Sequence, residues 1–344
     1  MNLNPLTRRR LKVFAQYRPG YVSCWVLLVF VVSSLFAEIL CNHRPMMARI
    51  QGKLYFPIFK SYPETTFGGV FETEMDYTDP LFTDLLQEEG NWAVFPPVRF
   101  DYQFVDTGLK EPAPSAPDGR HFLGTDDRAR DVLSRLIYGF RLSFLFGFTL
   151  AVVGSVIGVV LGALQGFLGG WYDLFCQRVI EIWSSQNELY LLIILSSLFA
   201  PSVSLIFLLL SLFGWMGLAA YVRGEYLRAR QMEYVVAALA LGGRPLRVML
   251  KHILPNTLVP VITFFPFRVS SGIMGLTALD FLGLGVPSPT ASLGELLNQG
   301  KAHVSHGTWW IIVSVFLVIV ATIMMLNFIG EGVQRAFDPK TSIA

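Results

Sequence analysis

Three carboxylates and two guanidiniums crowd into the eight residues GTDDRARD, where Asp126, Asp127 and Asp131 are interleaved with Arg128 and Arg130. At helical spacing Asp127 and Asp131 share a face, and Arg130 reaches either a neighbouring acid or a partner. Paired carboxylates are the equipment of general acid–base chemistry. No nucleophile, histidine or metal set accompanies these, so the segment is expected to be an exposed, salt-bridged elbow built on Asp126, Arg130 and Asp131, or a docking point for a partner. His303 and His306 have the spacing of helix-borne metal ligands but lack a third ligand, and they read as loop histidines. Cys24, Cys41 and Cys176 are odd in number, far apart and without CxxC spacing, which excludes a disulfide framework and a zinc site. Nucleotide hydrolysis would need G-x-x-x-x-G-K-[ST], whose backbone N–H groups cradle phosphates. The sequence has no such loop; GALQGFLGG and FLGLG lack the lysine and read as helix-packing or hinge glycines.

The elements that must position any chemistry are apolar. Hydrophobic residues make up 53% of the chain and charged residues 15%, with a mean hydropathy of +0.50, a composition that defines an integral membrane protein. A formal net charge of +2, spread over separate segments, excludes a nucleic-acid-binding face. Runs long enough to cross hydrocarbon predict six spans: 21–40, about 142–164, about 179–199, about 203–222, about 258–282 and 309–329. Residues 41–135 form an external insert rich in Pro, Tyr, Phe and Asp, which either docks a partner or packs on the outer face. The first 20 residues hold Arg8, Arg9, Arg10, Lys12 and Arg18 with no acid, which places the N-terminus inside. Six crossings then put 223–255 and the tail 331–344 on the same side, and Arg223, Arg228, Arg230, Arg244, Arg247 and Lys251 agree with that placement.

Between the fourth and fifth spans lies EYVVAALALGGRPLRVMLKHILPN. Glu233, Ala237 and Ala238 belong to a short helix with a small-residue surface, Gly242 and Gly243 free the backbone for a sharp turn, and Pro245 suits the first turn of a second helix. Arg247 lies on that second helix, and Pro255 is expected to end it and start the next span. By physics alone the segment is either a rigid cytoplasmic helix–turn–helix or an amphipathic connector lying on lipid.

VAALALGGRPLRVMLKHILP resembles the signature loop of binding-protein-dependent ABC importer permeases, with Val236 where the wider family often has Glu and His252 where Ile is usual. GTDDRARDVLSRLIYG resembles the segment preceding the second span in the dipeptide, oligopeptide and nickel permeases, with Ala129 replacing a usual Gly. LDFLGLGVPSPTASLGELL and NFIGEGVQRAFDPK resemble two further segments of that family, so the likeness covers about 120–340. IEIWSSQNELYLLIIL and the long insert are most similar to the second permease of Yej-type importers of oligopeptides and microcin C. The resemblance implies an all-α membrane protein of the type I importer kind with five spans in a 136–330 core. It implies a multi-pass bacterial inner-membrane chain with both termini cytoplasmic, and a loop 233–255 coupled to a separate ATPase. It further implies a second permease, a periplasmic substrate-binding protein and a peptide substrate; ATP and Mg belong to the partner ATPase, and no cofactor or metal to this chain.

Polar groups within the spans ask for a cavity or a partner. Gln186, Asn187 and Glu188 in the third span and Arg268 in the fifth are expected to line the translocation path; the alternatives are an interfacial entrance, a bond to a neighbouring span, or snorkelling by Arg268. Arg268 and Asp280 lie about 18 Å apart along one helix and do not pair directly. Two rival classes remain: a stand-alone carrier or channel, and a membrane-anchored protein whose insert carries the function.

Overall fold

The computed structural model describes residues 5–88, 90–109, 111–200 and 202–338. They form two compact units, one of residues Leu28–Leu142 and Ser288–Ile319, the other of the remaining described chain. A basic helix, α1 (Pro5–Gln16), leads into the first long apolar helix, α2 (Arg18–Leu35), and a one-turn helix, α3 (Ala37–Leu40).

The insert is not all-helical. Strands β1 (Met47–Ile50), β2 (Lys53–Tyr55) and β3 (Trp92–Val94) form an antiparallel sheet ordered β2-β1-β3. Gln51 and Gly52 close the β1–β2 hairpin with φ of 51° and 75°, and two positive φ angles in a two-residue loop match the right-handed twist of paired strands. The Asp79 side chain accepts from the Leu81 N–H at 2.9 Å and Pro80 occupies the first helical position, so α4 (Pro80–Gln87) starts there. Its Phe82 is buried against Phe67, which also meets Tyr55, Tyr62 and Tyr77. This aromatic core holds the insert together.

The next helix, α5 (Val132–Leu168), begins ten residues before the expected second span (142 − 132) and runs for 37 residues. The expected third span is broken. Helices α6 (Gly170–Ser184) and α7 (Glu188–Leu198) replace it, and the 11 residues of α7 reach only about 16 Å, about half the hydrocarbon thickness. The break follows from Ser185-Gln186-Asn187: the Asn187 side chain accepts from the Leu189 N–H at 3.0 Å and caps α7. Helices α8 (Val203–Phe213) and α9 (Met216–Ala229) supply the next apolar stretch. After it come α10 (Glu233–Ala240), α11 (Pro245–Val248), a π-helical turn over Met249–Ile253, and α12 (Leu254–Phe281). Ser292 accepts from the N–H groups of Gly294 and Glu295 to start α13 (Leu293–His303), and α14 (Trp309–Phe337) closes the chain. Among the described residues five stretches are long and apolar enough to cross a membrane: 18–35, 132–168, 203–229, 245–281 and 309–337.

Small residues let the long helices approach. A Cβ on Gly158, Gly162 or Gly166 of α5 would meet the carbonyl oxygens of Trp215, Ala219 or Arg223 at 3.0, 2.5 and 2.6 Å. Three turns of α5 thus lie directly on the backbone of α9 and the residue preceding it, the packing mode that small residues permit between apolar helices. Arg223 donates through Nε and Nη2 to both carboxylate oxygens of Asp173 on α6, a two-point ion pair.

Helix α14 runs on into the expected tail 331–344, ending at Phe337. Tyr17 donates to Glu331 at 2.7 Å, the Arg335 guanidinium sits 4.1 Å from the Tyr17 ring centre, and Arg10 sits 4.2 Å from that of Phe337. These cation–π contacts dock α14 against α1 and Tyr17, the residue that follows it. Residues 339–344 lie outside the described residues.

Candidate functional site

The segment 233–255 is a helix–turn–helix whose two faces differ. On the inner face Val235 of α10, with Val248, Met249 and Ile253, joins a buried cluster with Leu218, Val222 and Tyr226 of α9 and Ala163 of α5. The Tyr226 hydroxyl donates to the Met249 carbonyl at 3.3 Å. On the outer face Tyr234, Val236, Leu239, Leu241 and Leu246 are exposed, Leu241 to 89%. Glu233 is exposed in the first turn of α10, where a carboxylate favours the helix dipole. Ala237 is exposed, while Ala238 is half-buried against the inner cluster.

The turn is set by its two glycines. Gly242 has φ of +83°; its N–H donates to the Leu239 carbonyl, and the Gly243 N–H donates to the Ala238 carbonyl at 3.0 Å. These bonds are the Schellman pattern that ends a helix on a left-handed residue. A Cβ on Gly243 would stand 2.5 Å from the Ala238 oxygen. Arg244, Arg247 and Lys251 are all exposed beyond the turn.

Pro255 does not end the second helix. The chain stays helical from Pro245 to Phe281, and the π-turn at Met249–Ile253 precedes the proline. A proline has no N–H for the carbonyl four residues back and its ring collides with it; a wider turn relieves both. The segment is therefore joined to α12 by continuous helix.

The polar residues 186–188 and Arg268 separate in the fold. Glu188 and Arg268 line one cavity of about 330 Å³, together with Gly214, Ser271, Gly272 and Gly275. Arg268 donates to the Gly214 carbonyl at 2.8 Å, and a Cβ on Gly154 would stand 2.5 Å from its Nη2. Gln186 and Asn187 are exposed in the break between α6 and α7, Asn187 serving as the cap. Asp280 accepts from the Val286 N–H at 2.7 Å and so fixes the turn after α12.

The acidic–basic segment corrects its sequence reading on two points. It is not helical before Val132: residues 125–131 form a tight turn bridged at Thr125–Asp131 and Val105–Arg130, with Ala129 at φ +58°. Its Asp126, Arg130 and Asp131, with Arg135 just beyond it, are buried rather than exposed, all at or below 2% exposure, while Arg128 stays exposed. Arg130 pairs with Asp126 at 2.6 Å, Arg135 with Glu295 at 2.5 Å, and His121 bridges Asp131 at 2.9 Å and Asp106 at 3.2 Å. Burial of the His121 ring lowers its pKa, but the hydrogen bonds to the two carboxylates outweigh that and raise it above the ordinary value. No described group of three His, Cys, Asp or Glu side chains is arranged to hold a metal ion. Sequence spacing missed Glu295, paired with Arg135 from 160 residues away, and His121, paired with Asp131 from 10 residues away. Only Ser292-Leu293-Gly294-Glu295, a capping box, marked Glu295 as the start of a helix.

These features sit on a recognisable chain. Residues 154–343 match the family described as binding-protein-dependent transport system inner membrane component, and the protein belongs to that family, the multi-pass permease subunits of ABC importers. It is 42% identical over 341 residues to the inner membrane ABC transporter permease protein YejE of Escherichia coli (strain K12), covering 99% of each chain. It is 40% identical to the peptidoglycan transport system permease protein YejE of Agrobacterium fabrum, covering 98% of this chain and 94% of that one. The oligopeptide transport system permease protein OppC of Haemophilus influenzae is 37% identical over 241 residues, 70% of this chain and 77% of its own.

Proposed function

We propose that this chain is one of two permeases in an oligopeptide importer and that the helix–turn–helix 233–255 is gripped by a separate ATPase, which binds and hydrolyses MgATP. The chain itself catalyses no bond chemistry. Both termini and the helix–turn–helix lie in the cytoplasm, while the insert faces a substrate-binding protein outside. Glu188 and Arg268 line the path where the peptide crosses. Relatives whose names specify oligopeptide transport support the substrate class.

One observation carries the coupling role: the segment is anchored by Val235 on one side and presents Leu241, 89% exposed, on the other. An exposed apolar surface rimmed by Arg244, Arg247 and Lys251 is suited to a groove on a protein partner. A cysteine at Leu241, in a variant lacking the three native cysteines, is expected to cross-link to the ATPase in the assembled complex. Absence of any cross-link to an ATP-hydrolysing chain overturns the proposal.

A further inference from the structure

A cavity of about 480 Å³ opens in the insert between α4 and the segments that flank β1 and β3. That is the size of a small-molecule site. Its lining combines three chemistries. Phe95 and Phe100 give it aromatic walls, and Arg99 and Arg120 each lay a guanidinium over one of those rings, 4.8 Å from the Phe95 centre and 5.8 Å from the Phe100 centre. Arg120 also reaches Asp106 at 3.4 Å with part of its fork, whereas Arg99 has no carboxylate within 4.0 Å among the described residues. His43 and Tyr77 supply the third element. Tyr77 is 2% exposed, and its hydroxyl and the His43 Nδ1 are buried with no hydrogen-bond partner among the described residues. A buried hydroxyl left unmade is costly, about 1–3 kcal/mol, and such groups normally meet a partner.

We propose that this cavity binds the C-terminal residue of a short peptide, with its carboxylate on Arg99 and Arg120 and its side chain between Phe95 and Phe100. Guanidinium forks match a carboxylate at two points, the rings take an apolar side chain, and the Tyr77 hydroxyl and His43 Nδ1 meet the terminal amide group. The peptide class is taken from the function proposed above. The carboxylate and the apolar group are read from the cavity alone.

Calorimetric titration of the full-length chain in nanodiscs, free of ATPase and binding protein, tests the assignment. The probes are Ala-Ala-Phe, its C-terminal amide and N-acetyl-phenylalanine. The acid is expected to bind saturably, with the amide about tenfold weaker, since a charge-assisted pair is lost. Arg99→Gln is expected to weaken the acid about tenfold and leave the amide unchanged, Arg99→Lys to fall between, and Tyr77→Phe to weaken both about threefold. Equal binding of acid and amide by the native chain, or no saturable binding, overturns the site. Binding of N-acetyl-phenylalanine without the tripeptide overturns the peptide as its ligand. The Leu241 cross-link reads the coupling role separately, so peptide binding without a cross-link removes the importer proposal and a cross-link without peptide binding removes the pocket.

Discussion

Around Arg135 a guanidinium with no exposure is met by Glu295, Asp126 and the carbonyls of Tyr102 and Pro289; around Leu241 a large apolar side chain stands almost wholly in the open. The first region hides what water would solvate, and the second exposes what water rejects. Each is costly when its partner is missing, but the partners differ. Those of Arg135 lie within the chain. The surface around Leu241 has no cover within the described residues, and the ATPase proposed above is the molecule that would complete it.

Substitutions break this contrast in graded steps. Arg135→Ala leaves buried Asp126 and half-buried Glu295 with Arg130 as their remaining cation, and loss of one member of a buried ion network costs up to about 3–5 kcal/mol; thermal unfolding in detergent is expected to shift strongly down, and an unchanged midpoint would show the network to be solvated. Leu241→Glu sharpens the comparison from the other side. Its effect on the same unfolding midpoint is expected to stay within about 0.5 kcal/mol, while peptide-stimulated ATP hydrolysis by the assembled complex falls at least about tenfold. Gly243→Ala forces a methyl against the Ala238 carbonyl, an overpacking cost of about 1–3 kcal/mol that separates the turn's geometry from its outer surface.

Two smaller effects refine the buried side of the comparison. Ala129 holds φ of +58°, a left-handed conformation that costs an L-residue about 1–2 kcal/mol. Ala129→Gly is expected to raise the unfolding midpoint, after the gain is reduced by glycine's larger unfolded-state entropy. His121 adds a pH dependence. Its pKa in the folded protein is raised above the ordinary 6.5, so the imidazolium's contribution is complete below that pH and fades as pH climbs through the raised value. Protection of amides 118–131 from hydrogen exchange is expected to weaken as pH rises above the ordinary imidazole value of about 6.5 in the native chain, and His121→Gln is expected to flatten that dependence.

The segments legible in the sequence were those whose physics is local. Apolar run length alone located the helices at 18–35, 203–229 and 309–337, and the Gly-Gly and Pro signals located the turn at 241–244. The third span was misread because hydropathy averages over Ser185-Gln186-Asn187, where one asparagine side chain competes for the backbone and restarts the helix. The segment GTDDRARD was misread as exposed for the opposite reason: Arg130 pairs locally with Asp126 as its spacing suggests, but Glu295 closes the network from across the fold, and no local spacing encodes that. Pro255 looked like an end because proline usually is one; the neighbouring π-turn that accommodates it has no sequence signature of its own.

That wide turn holds one residue more than an ordinary helical turn needs. Excising any single position of 249–253, together with Pro255→Ala, would restore regular α-helix and leave Leu241 pointing where it does now. The same excision anywhere in the middle of α12 would swing Leu241 about 100° around the helix axis, so the orientation of the outer face depends on an uninterrupted count of residues down to the Arg268 cavity.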